Sequence, residues 1–235
     1  RASKRMSEYI HFAIAEKKEN VWIAQREGRA KNSNDLTQPA ILKMMAMGGE
    51  GSIIDRLKQL HIAPLAISYE YDPCDYLKAR EYQLRRDIPY WKKTAEDDLE
   101  SMLVGIKGYK GHIFYKCAPC IDEWLDTVDE DLPKNKLFDA IAAHIDHEIH
   151  CNYKLYPVNY VALDMIQDTR VYEEYYTAED YQNFNAYLDG QIEKIEIENR
   201  DDKFLRTCLL TQYAYPAKNY IAASSENGRF KSLLN

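Results

Sequence analysis

Val21-Trp22-Ile23-Ala24-Gln25-Arg26-Glu27-Gly28-Arg29-Ala30-Lys31 joins two kinds of sequence. Its first four residues form an apolar run rich in strand formers and too short for a helix, which predicts a buried strand of a parallel sheet. From Gln25 to Gln38 the chain turns polar, with Gly28, Asn32, Ser33, Asn34 and Asp35 supplying turn chemistry. Pro39 then opens a helix that carries Ile41, Leu42, Met44 and Met45. A long loop at the carboxyl end of a buried strand is where open α/β sheets place their ligands. Arg26 and Arg29 offer planar forks for an oxyanion, Gly28 lets backbone come close, and Lys31 adds a point charge. A solvated charged loop has the same composition, so these residues by themselves leave both readings open.

Working outward, Met6, Ile10 and Ile14 recur at helical spacing and predict an amphipathic helix over 2–18. Gly48-Gly49-Glu50-Gly51 ends the helix begun at Pro39, and a short helix follows through Leu57 and Leu60. Ile62 to Tyr69 is a second strand-type run, entered through Pro64 at an edge or outside the ladder. Residues 75–104 read as helical, and a glycine-rich turn leads into a third strand at His112 to Cys117. Beyond Pro133 the pattern is helical over 134–151, 178–195 and 201–214, with tyrosine-rich connectors such as 153–160. The alternation predicts an α/β core with a mixed sheet flanked by helices over 1–130, followed by an all-helical extension over 131–235.

With 235 residues, 46% of them hydrophobic, the chain can bury a full core. Its longest apolar runs fall far below the roughly 20 residues of a membrane-spanning helix. The opening Arg1-Ala2-Ser3-Lys4-Arg5-Met6 reads as helix interior, the expectation for a processed chain or a fragment. The five cysteines are an odd number at irregular spacing, which predicts reduced thiols in a cytoplasmic compartment. Of the net charge of −7, residues 1–31 contribute +4 from eight Lys/Arg and four Glu, leaving −11 for the rest. A local positive end suits a small anionic ligand and argues against nucleic acid.

Three stretches, in order, carry a resemblance. They are Val21 to Lys31, then Ile62-Ala63-Pro64-Leu65-Ala66-Ile67-Ser68-Tyr69-Glu70-Tyr71, then His112-Ile113-Phe114-Tyr115-Lys116-Cys117-Ala118-Pro119-Cys120-Ile121. They resemble the glycerolipid acyltransferase family, in its 1-acylglycerol-3-phosphate and glycerol-3-phosphate branches and in Bacteroidetes-like form. In that family a strand runs into Glu-Gly and a basic residue, a later strand follows a proline, and a closing strand leads to Gly-x-Pro-Ile. Cys117 stands where that glycine is usual, and Arg29 directly follows Gly28 where Glu-Gly-Thr-Arg-Ser is frequent.

The resemblance covers about residues 1–125 and implies an acyltransferase of phospholipid synthesis. A fatty acyl group would pass from acyl-CoA or acyl-acyl carrier protein to the hydroxyl of a glycerol-phosphate-type acceptor, with no other cofactor. Glu27 and Gly28 would shape the acceptor site, and Arg26 or Arg29, with Lys31, would hold the acceptor phosphate. The implied partners are the thioester donor, the phosphorylated glycerolipid and, peripherally, the inner face of the cytoplasmic membrane.

The family's general base is the histidine of a His-x-x-x-x-Asp element, its aspartate orienting the ring. Five residues after His11, His61, His112, His144, His147 and His150 stand Glu16, Ala66, Cys117, Ile149, Asn152 and Leu155. The expectation is therefore a chain with no catalytic residue of its own, its base lying upstream of Arg1 and the 235 residues inactive alone. The alternative is a non-catalytic phosphoester-binding α/β module.

No metal site is expected. His144, His147 and His150 lie three and three apart on a predicted helix, whereas a zincin pair is four apart, so they read as a solvated or partner-facing polar face. Cys117-Ala118-Pro119-Cys120 has redox spacing, but it ends a strand instead of opening a helix, so inert thiols are expected. Among the 19 tyrosines, Tyr172, Tyr175, Tyr176, Tyr181 and Tyr187 are grouped; core and groove positions are the expectation, with contact at a membrane surface as the other use of such rings.

Overall fold

A computed structural model of the protein describes residues 2–26 and 30–233, with side chains as far as Ser225. The protein is mostly helical, 58% of it, and among the described residues there is one small antiparallel sheet of two strands. Helices α1 (Ala2–Ala15), α2 (Pro39–Met45) and α3 (Ile53–Lys58) precede strand β1 (Leu65–Tyr69). Helices α4 (Asp75–Asp87) and α5 (Ala95–Lys107) lead to strand β2 (Ile113–Cys117). Then come α6 (Asp122–Leu125), α7 (Lys134–Cys151), α8 (Pro157–Gln167), α9 (Ala178–Glu193) and α10 (Asp202–Leu233).

The helix starts follow local chemistry. Ser52 with Asp55, Thr94 with Asp97 and Thr177 with Asp180 form capping boxes at the starts of α3, α5 and α9. Proline occupies the first turn of α2 and of α8, where its missing N–H costs nothing. The helical stretch expected over 75–104 divides in two because Pro89 holds Ile88 out of the helical region and Thr94 starts a new helix. Helix α10 runs past Pro216 although proline leaves the Gln212 carbonyl without its helical donor.

Two expectations are corrected. Val21–Ala24 form no strand, and Trp22 is 74% exposed. A run of strand formers becomes a strand only where a second strand meets its N–H and C=O groups, and none does so among the described residues. The sheet is therefore a two-stranded ribbon and not a mixed sheet of three or more strands. The connector expected over 153–160 is in fact the entry to α8, whose Val158, Val161, Ala162 and Leu163 are all buried.

The chain groups into two compact units, each drawn from three separated stretches: 1–29, 35–66 and 116–152 in one, 30–34, 67–115 and 153–235 in the other. In the first unit Ala118 N donates to Pro64 O at 2.8 Å and Ile121 N to Ile62 O at 3.0 Å. In the second Glu70 N donates to His112 O at 2.9 Å and Tyr71 N to Lys110 O at 3.0 Å.

In the first unit α2 packs on α1, α3 and α7, and α3 on α6. Its core includes Ile10, Leu42, Leu57, Ile121, Leu125 and Ile141. In the second unit α10 packs on α4, α8 and α9 around Phe184, Leu188, Leu205 and Leu209, all of them fully buried. No described helix is long and apolar enough to cross a membrane.

Candidate functional site

The loop from Gln25 to Gln38 is closed at its base, where Gln38 N donates to Gln25 O at 2.8 Å. Thr37 anchors the same end: its N–H and its hydroxyl both donate to Asp146 Oδ1 of α7, at 2.8 and 2.6 Å. Burial raises the Asp146 carboxyl above its ordinary value, and the two Thr37 donors pull against that rise. The two bonds to a half-buried acceptor hold the loop's exit.

The sequence-predicted phosphate residues fall as follows. Arg26 is partly buried, with 28% of its side chain exposed, and its guanidinium stands 3.8 Å from Asp35 Oδ1. Glu27, Gly28 and Arg29 lie outside the described residues. Ala30 is buried. The Lys31 ammonium pairs with Glu81 Oε2, and Glu81 is only 4% exposed. Arg85, one turn further along α4, donates from Nε to Glu81 Oε1 at 2.8 Å. A buried carboxylate needs such donors, so Glu81 holds the Lys31 ammonium against α4. Asn32 Oδ1 accepts from Asn34 N at 3.2 Å, and Asn219 of α10 donates to Asn34 Oδ1 at 3.1 Å. Both described cations of the predicted phosphate loop are thus held against carboxylates.

The histidines of α7 correct the solvated reading of that face, because two are half-buried and one is buried. His144 lies flat against Trp124 of α6, ring centroids 3.9 Å apart, and burial with the neighbouring His147 lowers it to about 4. His150 is 8% exposed and also lowered by burial. His147 Nε2 lies 3.6 Å from Cys151 Sγ, one turn on. A neutral His144 and a neutral His150 fit these half-apolar sites, and the spacing of the three histidines spreads them over different contacts.

Cys117 closes β2, as its place in the sequence predicted, and both it and Cys120 are exposed. Burial is the main cause of a rise at Cys120, the opposite of an activated thiol.

Two constellations escaped the reading along the chain. Asp75, fully buried at the start of α4, accepts hydroxyl hydrogen bonds from Tyr213 at 2.6 Å and Tyr187 at 2.7 Å. Burial is the largest influence on this carboxyl and raises it to about 6. The other is His61, Cys120 and Asp122, whose potential ligand atoms all lie within 4.8 Å of one another. His61 also lines a surface depression of about 720 Å³, with His11, Ile14, Lys18, Gly49 and Gln59. The signal for each was weak in one dimension, since the partners are 61 residues apart in one case and 112 or more in the other.

Compared with protein-family models, curated proteins and solved structures, the chain matches none.

Proposed function

We propose that this chain is the acceptor-holding part of an acyltransferase of phospholipid synthesis. The enzyme moves a fatty acyl group from an acyl thioester, of coenzyme A or of acyl carrier protein, to the hydroxyl of a glycerol-phosphate-type acceptor. The acceptor oxygen attacks the thioester carbonyl, a base takes its proton, and the thiol leaves. The base of a His-x-x-x-x-Asp element is not within the 235 residues, so their part is to grip the phosphate and orient the hydroxyl.

The observation that carries this reading is the basic run from Arg26 to Lys31, with Arg26 and Lys31 each held by a carboxylate that limits side-chain wandering. A cation already oriented loses less freedom when a phosphate arrives. Arg29 supplies a second fork, and Glu27 and Gly28 shape the acceptor site. The three stretches that resemble the glycerolipid acyltransferase family support the reading, as does a local excess of basic residues in a chain of net negative charge. On this reading the protein meets its lipid acceptor at the inner face of the cytoplasmic membrane. The glycerolipid acyltransferase core is the fold that the reading expects around the described residues.

The experiment is titration of glycerol 3-phosphate and of a soluble lysophosphatidate into the purified chain by calorimetry. Arg29→Ala weakens binding by tenfold or more, about 1.4 kcal/mol, the order of a charged fork on phosphate. Unchanged affinity in both Arg29→Ala and Arg26→Ala removes these residues from the phosphate site. Acyl transfer by the 235 residues alone would refute the assignment of the base. A non-catalytic phosphoester-binding module is the second reading, favoured by the lack of aspartate five residues after any of the six histidines. It predicts binding that persists with no turnover even when an acyl thioester and the flanking parts of the protein are present.

A further inference from the structure

We propose that His61, Cys120 and Asp122 form a site for zinc or a similar divalent transition-metal ion, stapling the α3–β1 corner to the β2–α6 corner within the first unit. Three observations converge on it. The potential ligand atoms of the three side chains lie within 4.8 Å of one another. His61 Nδ1 and Asp122 Oδ2 are already in contact at 2.6 Å. Asp122 Oδ1 is buried and has no hydrogen-bond partner. A carboxylate oxygen withdrawn from water without its hydrogen bonds is unfavourable, and a cation would satisfy it.

The backbone places the ligands. Ile121 is 1% exposed, and its N–H donates to Ile62 O at 3.0 Å, which sets its two neighbours Cys120 and Asp122 beside the residue preceding Ile62. His61 has a left-handed φ of 48°, and its N–H donates to Lys58 O at 3.1 Å. That conformation is unfavourable for a residue with a Cβ, and it turns the imidazole toward Asp122.

The donor set selects the ion. A thiolate and a carboxylate balance the two charges of the cation while a neutral imidazole adds nitrogen, a mixed set that suits zinc and disfavours magnesium or calcium, which want oxygen throughout. Tetrahedral zinc with bonds of about 2.0–2.3 Å sets its ligand atoms about 3.5 Å apart. The exposed side chains of His61 and Cys120 close the remaining gap by rotation, while Asp122, 22% exposed, stays in place. The cation takes the place of the direct contact between His61 and Asp122. Three protein ligands leave a fourth position for water. The neighbouring Lys58 ammonium is drawn off to Asp126. A search for metal spacing along one helix misses this site because its ligands come from two corners distant in sequence.

The test uses the whole chain kept reduced with a non-thiol reductant, zinc counted by mass spectrometry and cobalt(II) read by absorption. One equivalent of zinc and a near-ultraviolet thiolate-to-cobalt charge-transfer band are expected. The band disappears in Cys120→Ser, zinc affinity falls at least tenfold in His61→Ala and Asp122→Ala, and both readings persist in Cys117→Ser and His147→Ala. Circular dichroism of each variant verifies that the fold is intact. The site is overturned by wild-type protein that binds no equivalent of zinc. It is equally overturned by a band that survives Cys120→Ser, or by binding that needs Cys117 or His147 and ignores His61.

Discussion

The Tyr213 hydroxyl donates to Asp75 Oδ2 at 2.6 Å, and Tyr187 donates to the same oxygen at 2.7 Å. The pair ties α9 and α10 to the first residue of α4 inside the core of the second unit. The Tyr76 N–H reaches Asp75 Oδ1 at 2.6 Å, and the Asp72 N–H donates to the Tyr213 oxygen at 3.2 Å. Phe184 stands edge-on to Tyr213 at 5.2 Å, and Tyr71 leans on Tyr187 at 4.5 Å. Burial pushes both tyrosine hydroxyls well above their ordinary value, so they stay protonated and act as donors.

Stability therefore depends on pH through Asp75. Its folded value, about 6, lies above the ordinary 3.8. The contribution of the neutral acid is complete below pH 3.8 and is lost as pH rises through about 6. The lift corresponds to about 3 kcal/mol between the two protonation states. Urea unfolding of wild type and Asp75→Asn at a series of pH values is expected to give a stability difference that moves by about this amount between pH 7 and pH 4, in favour of wild type at the acid end. Parallel stability curves would sink the idea. Tyr213→Phe removes a donor that lowers the carboxyl, so the same window moves to higher pH.

Glu81 and Lys31 are coupled through burial. With Glu81 4% exposed, removing the Lys31 ammonium leaves a buried carboxylate that still accepts from Arg85. Lys31→Ala is expected to cost about 1–2 kcal/mol of stability. A double-mutant cycle with Glu81→Gln should return a coupling of about 1 kcal/mol by chemical denaturation. Additive single changes would mean that the pair contributes nothing to the fold, leaving Lys31 to its proposed ligand.

Glycine has opposite meanings at two positions. Gly49 sits at φ +76°, and a Cβ there would lie 2.5 Å from Gln59 Oε1 and 2.6 Å from His11 Cε1. Gly49→Ala is expected to cost about 1–2 kcal/mol from the left-handed backbone alone. Gly190, within α9, has nothing within 4 Å of its added Cβ. Gly190→Ala should gain about 0.5–1 kcal/mol through helix propensity. Thermal unfolding of the two variants checks both signs, and a stabilised Gly49→Ala would contradict the geometry at the α2–α3 turn.

Periodicity located the elements whose burial repeats along one face. Helix α7 falls on the expected 134–151, because Leu137, Ile141, Ile145 and Ile149 recur every four residues and proline precedes them. The strands at 65–69 and 113–117 were legible from β-formers bounded by turns. Helix α8 was hidden because Tyr153 to Tyr160 mixes aromatics, proline and asparagine, and its buried face becomes apparent only where α10 covers it. Of the candidate site, the carboxylate partners were not legible: Asp35 and Glu81 are ordinary acidic residues until the fold sets the one against Arg26 and the other against Lys31.

The sequence by itself determined where α2, α7 and α9 start, since prolines and apolar spacing act over a few residues. It also determined a basic run at Arg26 to Lys31 within an acidic chain. Only the tertiary structure decided that Val21–Ala24 would not pair as a strand, because a ladder needs a second chain segment at hydrogen-bonding distance. Tertiary structure alone also buried Asp75 among tyrosines and brought His61 to Asp122, because desolvation and ligand geometry depend on residues distant in sequence and adjacent in space.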